Sequence, residues 1–477
     1  MAGPDRDPQT LAIDPRAHAT VSASAGTGKT HVLTSRVFRL LLDGAPPESI
    51  LCLTFTRAGA AEMAGRIGER LARWVRLDDR DLANELDALG ASIGPEGREL
   101  ARTLFARVLD APGGIRIQTI HAFAQSLLAA FPAEAEVSPG LKPLEGRAAE
   151  ELAFATLADL VSDAEAAGDA ALIRDIEALS ARLGEKGAVK YLNICAAHSD
   201  ALAELDLGRA ASALRDLTGV HECDVDEYLA DQCSDGAFDC ALLRSLAEAN
   251  RAWTGKTGAK NAEAIEAWLD LGPKQRAAAL PALANVFLTG GQLRKTRPKA
   301  EGYDNDAQAL AEAVTALIEF QRGCQAVADM QSGLRAGKAF AAAYARAKAA
   351  AGVADFNDLI AWTRRLLEQK HMADWIRFKL DQRIDHVLVD EAQDTNADQW
   401  AIVGALIDEF FTGSSEAETR WRTFLAVGDF KQAIFGFQGT NPEEFERVRR
   451  GYRERAEGLA RAHRGSGDEG DPPLPFH

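Results

Sequence analysis

The sequence has 477 residues, of which 47% are hydrophobic and 26% are charged, so it is long enough for two or three domains with sizeable cores. Its net charge of −17 argues against general adhesion to nucleic acid, although a whole-chain sum does not exclude a local DNA-binding groove. Because no apolar run of about 18 residues and no signal-like N-terminus is present, we expect a cytoplasmic protein that does not bind membranes.

A glycine-rich loop at residues 23–30 is the first motif along the chain. It follows a predicted strand at 17–22 and precedes a helical pattern at 32–42, the order typical of loops whose backbone N–H groups cradle phosphates. Lys29 is expected to bridge the β and γ phosphates of ATP, and the Thr30 hydroxyl to hold Mg²⁺. A helix cap that binds nothing is the alternative. The predicted nucleotide contacts are Ala23, Ser24, Ala25, Gly26, Thr27, Gly28, Lys29 and Thr30.

Strand and helix patterns alternate through residues 1–145, which form the first part of the predicted ATP-binding core. Residues 50–56 indicate a buried strand, 58–67 a helix, and 115–123 a strand that runs into a helix. Such alternation is typical of a parallel sheet covered by helices. The sequence therefore predicts an α/β fold.

The pattern changes to helical spacing with almost no strand signal at residues 146–345, which indicates an inserted all-helical domain. Within it, His221, Cys223, Cys233 and Cys240 match no common metal-ligand spacing, so free thiols are favoured over a metal site. The alternating pattern returns at 346–450, the second part of the core. Residues 451–477 are predicted to form a disordered or truncated tail, since residues 464–477 are aperiodic and rich in Gly, Pro and Asp.

Two further motifs follow predicted strands in this second part. Asp390 and Glu391 come directly after the apolar run 386–389, and ligands bind at the carboxyl ends of parallel strands. An aspartate there can hold Mg²⁺, and an adjacent glutamate can activate water. In the segment after strand 423–428, Gln432 is placed to sense a γ-phosphate. Phe435 and Phe437 could stack on nucleobases or simply belong to the core.

Together these motifs resemble the ordered N-terminal motifs of superfamily 1A helicases, the UvrD/Rep/RecB group, and most closely the AddA-type helicase–nuclease proteins. The resemblance is carried by residues 22–34, 53–57, 118–123, 389–396 and 427–439. It implies a RecA-like P-loop core, and a 3′→5′ DNA helicase that uses ATP and Mg²⁺ in double-strand-break repair by recombination. The implied partners are single-stranded and duplex-end DNA and an AddB-type nuclease subunit.

Position by position, the resemblance implies that Gln9 reads the adenine edge, with a solvated N-terminal glutamine as the alternative. Catalytic roles are implied for Lys29, Asp390, Glu391 and Gln432, and Mg²⁺ binding for Thr30 and Asp390. For His121, a satisfied core histidine is the alternative to DNA binding. The residues implied to contact DNA are Phe55, Thr56, Arg57, His121, Phe123, Phe435 and Phe437.

Two departures from the family pattern affect these expectations. Gln438 stands where many relatives have an arginine that reaches the γ-phosphate. The resemblance covers roughly residues 1–450, and no motif of the second motor core or of a nuclease domain follows. We therefore expect an N-terminal fragment with impaired ATPase activity. The alternatives are a non-catalytic DNA- or partner-binding module that retains ATP binding and, less in accord with the motifs, a small-molecule P-loop kinase.

Overall fold

A computed structural model of the chain describes residues 8–22, 28–91, 94–254, 256–368, 384–411, 421–429, 442–466 and 474–477. The chain divides into two compact units. Residues 1–145 and 351–477 form the first unit, and residues 146–350 form the second. Among the described residues, no helix is both long enough and apolar enough to cross a membrane.

The strands are β1 Ala19–Ser22, β2 Ile50–Thr54, β3 Arg116–Thr119, β4 Lys142–Pro143, β5 Leu288–Thr289, β6 Gln292–Leu293, β7 Val353–Ala354, β8 His386–Val389 and β9 Thr423–Gly428. The first unit is built on a five-stranded sheet in the order β1-β9-β8-β2-β3, in which every neighbouring pair is parallel. A two-stranded parallel ladder, β4-β7, lies in the same unit, and a β5-β6 hairpin lies in the second. The predicted α/β fold with a parallel central sheet is therefore confirmed.

The inner strands of this sheet are buried on both faces, which explains their continuous apolar sequences. Successive side chains of a strand point to opposite faces, so each strand contributes to two cores. Leu51 and Leu53 of β2 pack into the core on one face, whereas Ile50 and Cys52 pack into the core on the other. Burial on both sides fixes the strand register, and hence the positions of the loops that follow.

Helices cover both faces of the sheet in the first unit. The helix α3 begins after Thr56, whose hydroxyl accepts the backbone N–H of Gly59 over 2.9 Å and so caps the helix. The helices of this unit are α1 Pro8–Ala12, α2 Lys29–Leu42, α3 Arg57–Trp74, α4 Asp79–Ala88, α5 Pro95–Asp110, α6 Ile120–Ala130, α17 Phe356–Glu368, α18 Ala397–Ile407 and α19 Pro442–Ser466.

The second unit is helical apart from the short β5-β6 hairpin, which the sequence pattern missed because each strand has only two residues. Its core gathers leucines with aromatic residues such as Phe238, Trp268 and Tyr303. The six cysteines of the chain are free. The helices are α7 Gly146–Ala167, α8 Ala170–Ala197, α9 Ser199–Glu204, α10 Leu207–Thr218, α11 Val225–Gln232, α12 Cys240–Ala252, α13 Lys256–Leu269, α14 Pro273–Ala278, α15 Leu280–Phe287 and α16 Tyr303–Ala351.

The C-terminal region differs from the predicted disordered tail wherever the structure describes it. The helix α19 continues to Ser466, and Tyr452 and Ala456 are buried in the core on one face of the sheet. Residues 474–477 then pair with β1: the backbone N–H of His18 donates to Pro475 O over 2.8 Å, and that of Thr20 donates to His477 O over 2.9 Å. The prediction was wrong here because β1 is an edge strand, whose unpaired backbone groups favour such pairing.

Candidate functional site

The carboxyl ends of the five parallel strands form one edge of the main sheet, and a predicted motif follows each strand. The register pairs Ser22 of β1 with Gly428 of β9, and Thr54 of β2 with Thr119 of β3. The side chains after β1 and β8 are separated by one intervening strand, or about 10 Å. This edge is where open parallel sheets bind ligands.

Gly28 and Lys29 form the N-terminus of α2. Gly28 has φ 91° and ψ 23°, a left-handed conformation that strains other residues, and it caps the helix. Lys29 is the first helical residue, so its ammonium group lies beside the partly positive helix N-terminus. Its Nζ atom forms an ion pair with Glu391 Oε2 at 3.0 Å, which joins the motif after β1 to the motif after β8.

Asp390 and Glu391 occupy the turn at the end of β8. The backbone N–H of Asp390 donates to Leu53 O over 2.8 Å, which extends the pairing with β2. Glu391 adopts φ 49° and ψ 44°, a left-handed conformation unusual for a residue other than glycine, and its N–H donates to Asp390 Oδ1 over 2.9 Å. Strain of this kind persists where the surrounding structure holds a functional side chain in place.

The Asp390 carboxyl group lies in an environment that disfavours its charged form. Burial, and then the negative charge of Glu391, raise its pKa to about 6, although the Glu391 N–H and Lys29 act in the opposite direction. A cation held beside Asp390 would relieve this cost. Carboxylate and hydroxyl oxygens, such as those of Asp390 and Thr30, are the ligands that Mg²⁺ prefers, so these residues fit that ion. In the described part of the chain, no group of three or more His, Cys, Asp and Glu side chains could hold a metal by itself.

A cavity of about 600 Å³ opens beside β1 and the start of α2. Gln9, on the exposed face of α1, and Lys29 both line it, so the structure brings these two sequence-predicted residues to one cavity. The buried guanidinium of Arg36 donates to the backbone carbonyl groups of Ala12 and Ala17, and so ties α2 to the segment that forms the cavity wall. No sequence pattern indicates this role, because the partners of Arg36 are backbone atoms.

A second groove, of about 150 Å³, lies at the ends of β2 and β3. Phe55, Arg57 and His121 line it, and Phe356 adds a partly exposed ring whose centroid is 4.8 Å from that of His121. Arg57 forms an ion pair with Glu145 at 3.0 Å. Burial lowers the pKa of His121, so its imidazole tends to be neutral.

The structure places Phe123 away from this groove. The ring is only 4% exposed and packs in the core on one face of the sheet, so the structure does not bring it to the groove, and its contact with DNA stays a prediction. The physical reason is helix geometry: Phe123 lies on α6, where successive residues are 100° apart, so a residue two positions after His121 points away from it. Thr56 is exposed beside the groove and also caps α3.

The sequence analysis did not predict two side chains, those of Phe356 and Gln393, that lie beside the candidate site residues. For Phe356, the sequence held no signal of a ring in a groove. Gln393, buried next to the acidic pair, hydrogen-bonds Glu391 and the backbone of Asp429. Several predicted site residues lie outside the described residues: those at positions 23–27, and Gln432, Phe435 and Phe437.

Known proteins that are similar to this chain include helicases. Residues 6–453 match the UvrD/REP helicase N-terminal domain. The chain is 28% identical to the ATP-dependent helicase/nuclease AddA protein of Pelotomaculum thermopropionicum, over 89% of this chain and 34% of the relative. The protein of the same name from Moorella thermoacetica is 26% identical, over 90% and 31%. That of Exiguobacterium sibiricum is 23% identical, over 92% and 36%. The chain thus spans about a third of the length of these curated relatives.

Proposed function

This chain belongs to the UvrD/REP helicase family, and from that premise we propose that it is the N-terminal ATP-binding part of a 3′→5′ DNA helicase that acts in double-strand-break repair by recombination. The observation that carries the proposal is the ion pair of 3.0 Å between Lys29 and Glu391. It brings a phosphate-binding lysine and a candidate catalytic carboxylate together across the sheet edge. The relatives named as ATP-dependent helicase/nuclease proteins support the same function.

Lys29 and Glu391 would exchange partners during the reaction. When ATP binds, the Lys29 ammonium leaves the Glu391 carboxylate for the phosphates, which are the stronger anionic partner. The carboxylate is then free to orient the attacking water and to accept its proton. Thr30 and Asp390 would hold Mg²⁺, which supplies charge neutralisation on the phosphate oxygens. Gln432 is proposed, from the sequence, to contact the γ-phosphate.

The cavity beside β1 is proposed to take the adenine and ribose of ATP. Gln9 carries an amide that can both donate to and accept from an adenine edge, and the cavity also reaches Lys29. Residues 23–28 are proposed to wrap the phosphates between the two. The nucleotide would thus lie along the end of β1 toward the acidic pair.

The groove at the ends of β2 and β3 is proposed to bind single-stranded DNA. The rings of Phe55 and Phe356 can stack on bases, and Arg57 can meet a phosphate once its ion pair with Glu145 opens. His121 and Thr56 would contribute polar contacts, and Phe435 and Phe437 are proposed from the sequence as further stacking residues. The proposed partners are duplex DNA ends and a nuclease protein of the AddB type, and the cytoplasm is the proposed location.

A polypeptide of these 477 residues is proposed to bind Mg·ATP weakly and to hydrolyse it slowly. In this family the second motor core supplies arginines that neutralise charge in the transition state, and such an arginine is typically worth about 10³–10⁵ in rate. The first core alone retains the groups that bind phosphates and activate water. We therefore expect this polypeptide to bind the nucleotide without hydrolysing it efficiently.

The experiment measures ATP hydrolysis with and without single-stranded DNA. We expect slow hydrolysis that DNA modestly stimulates, and a reduction of at least about 10²-fold in Glu391→Gln, because the general base is lost. Binding of a fluorescent ATP analogue should persist in that variant. Glu151→Gln, which alters an exposed ion pair in the helical unit, is the control and should match the wild type. Equal hydrolysis by Glu391→Gln and wild type would exclude the proposed role of Glu391.

A further inference from the structure

Gln393 is a buried glutamine two residues after Glu391. Its Nε2 group donates to Glu391 Oε2 over 2.7 Å and to Asp394 Oδ2 over 3.2 Å. Its Oε1 atom accepts the backbone N–H of Asp429 over 2.7 Å. Since Asp429 directly follows β9, one side chain joins the acidic turn after β8 to the end of the neighbouring strand.

The partners of this amide fix its orientation. The backbone N–H of Asp429 can only donate, so the amide oxygen of Gln393 must face it. The NH₂ group then has to face the carboxylates, where it can only donate. A reversed amide would set two donors against each other on one side and oxygen against oxygen on the other.

The backbone of β9 leaves space for this side chain. A Cβ atom at Gly428 would lie 2.9 Å from Gln393 Oε1 and 3.0 Å from a ring carbon of Phe445. Phe445 itself is held against Trp400, with nearly parallel rings whose centroids are 6.0 Å apart. The glycine at position 428 therefore allows the amide of Gln393 to reach Asp429.

We propose that Gln393 is a positioning residue that holds the Glu391 carboxylate in its reactive orientation by linking it to the end of β9. This inference rests on the proposed hydrolysis of ATP at the site. Glu391 Oε2 receives donors from both Lys29, at 3.0 Å, and Gln393, at 2.7 Å. When Lys29 turns to the phosphates, Gln393 continues to hold this oxygen. The other carboxylate oxygen of Glu391 is then the one directed to water.

Two substitutions distinguish the contact of Gln393 with Glu391 from its contact with Asp429. Gln393→Met keeps the length of the side chain but removes both hydrogen-bonding ends. Gln393→Glu keeps an acceptor for Asp429 but places a carboxylate, instead of a donor, against Glu391. Gln399→Met is the matched control, because Gln399 is also buried but uses its amide oxygen to accept the backbone N–H of Asn396 in a helix cap.

In the full 477-residue chain, we expect both Gln393 variants to hydrolyse ATP about 10- to 100-fold more slowly, with the Kd for an ATP analogue within about twofold of wild type. Gln399→Met should melt at a lower temperature with unchanged turnover. Because Gln393 acts through Glu391, adding Gln393→Met to Glu391→Gln should lower the residual turnover no further. Wild-type turnover in either Gln393 variant, or a further loss in the double variant, would overturn the inference.

Hydrogen–deuterium exchange at the Asp429 amide distinguishes failure of this inference from failure of the proposed function. We expect Gln393→Met to lose protection at this amide and Gln393→Glu to keep it, whether or not the chain hydrolyses ATP. Unchanged protection in Gln393→Met would overturn the link itself. The other possible result is that Gln393→Met loses protection as expected but nucleotide binding does not depend on Lys29. That result would support the link between Gln393 and Asp429 and overturn the proposed function.

Discussion

Asp390 and Glu391 are adjacent carboxylates whose surroundings differ. Glu391 is balanced by the Lys29 ammonium and the Gln393 amide, whereas the Asp390 carboxyl has a pKa raised to about 6 by burial and by Glu391. An acid in such a site is stabilised by a nearby cation. At the scale of single residues, this difference supports the proposed roles of Asp390 in holding Mg²⁺ and of Glu391 in activating water.

Asp390 gives a prediction about the pH dependence of stability. Its folded pKa lies above that of an unfolded aspartate, so the folded state binds more protons between pH 4 and 6, and stability falls as pH rises through this window. Because one pKa unit corresponds to about 1.4 kcal/mol, we expect Asp390→Asn to raise the free energy of unfolding by roughly 1–3 kcal/mol at pH 7.5.

Urea denaturation at pH 7.5 and pH 4.5 measures this effect, and the difference between Asp390→Asn and wild type should shrink at the lower pH. Asp398→Asn, at an exposed carboxylate with a long ion pair to Arg364, is the control and should show no such trend. A lower free energy of unfolding for Asp390→Asn than for wild type at pH 7.5 would show that the fold does not disfavour the charged form of Asp390.

At the scale of elements, the sequence predicted most of what positions the site. The apolar run before residue 390 indicated a strand because both faces of β8 are buried, and glycine with lysine indicated the start of α2. Other features had no local signal. The capture of residues 474–477 by β1 depends on an unpaired strand edge, and Gln393 is recognisable only once β8 and β9 are neighbours.

The helix α2 carries a second element-scale feature that can be tested. Arg36 donates to Ala12 at the end of α1 and to Ala17 just before β1, and residues of α1 and β1 line the cavity proposed for adenine. Arg39 on the same helix donates instead to Leu89 and Gly90. We expect Arg36→Met to weaken binding of a fluorescent ATP analogue by about tenfold, or about 1.4 kcal/mol. Arg39→Met, the matched control, should lower the melting temperature without changing nucleotide affinity. Equal affinities for the two variants would show that Arg36 does not shape the nucleotide site.

At the scale of the whole molecule, the candidate site depends on residues far apart in the chain. Lys29 and Glu391 are 362 positions apart, with the helical unit of residues 146–350 between them in sequence. The sheet brings them together because β1, β9 and β8 are neighbours in one parallel order. A chain with a net charge of −17 is thus compatible with a phosphate site, because the local arrangement of charges decides binding.

Titration of the chain with a fluorescent ATP analogue and Mg²⁺ tests the central claim most directly, since that claim is a phosphate site built on Lys29. We expect Lys29→Ala to weaken binding at least about tenfold, because a charge-assisted contact to phosphate is lost. Lys186→Ala, at an exposed lysine of the helical unit, should bind as the wild type does. Equal binding by Lys29→Ala and wild type, or no binding by the wild type at millimolar nucleotide, would contradict the account.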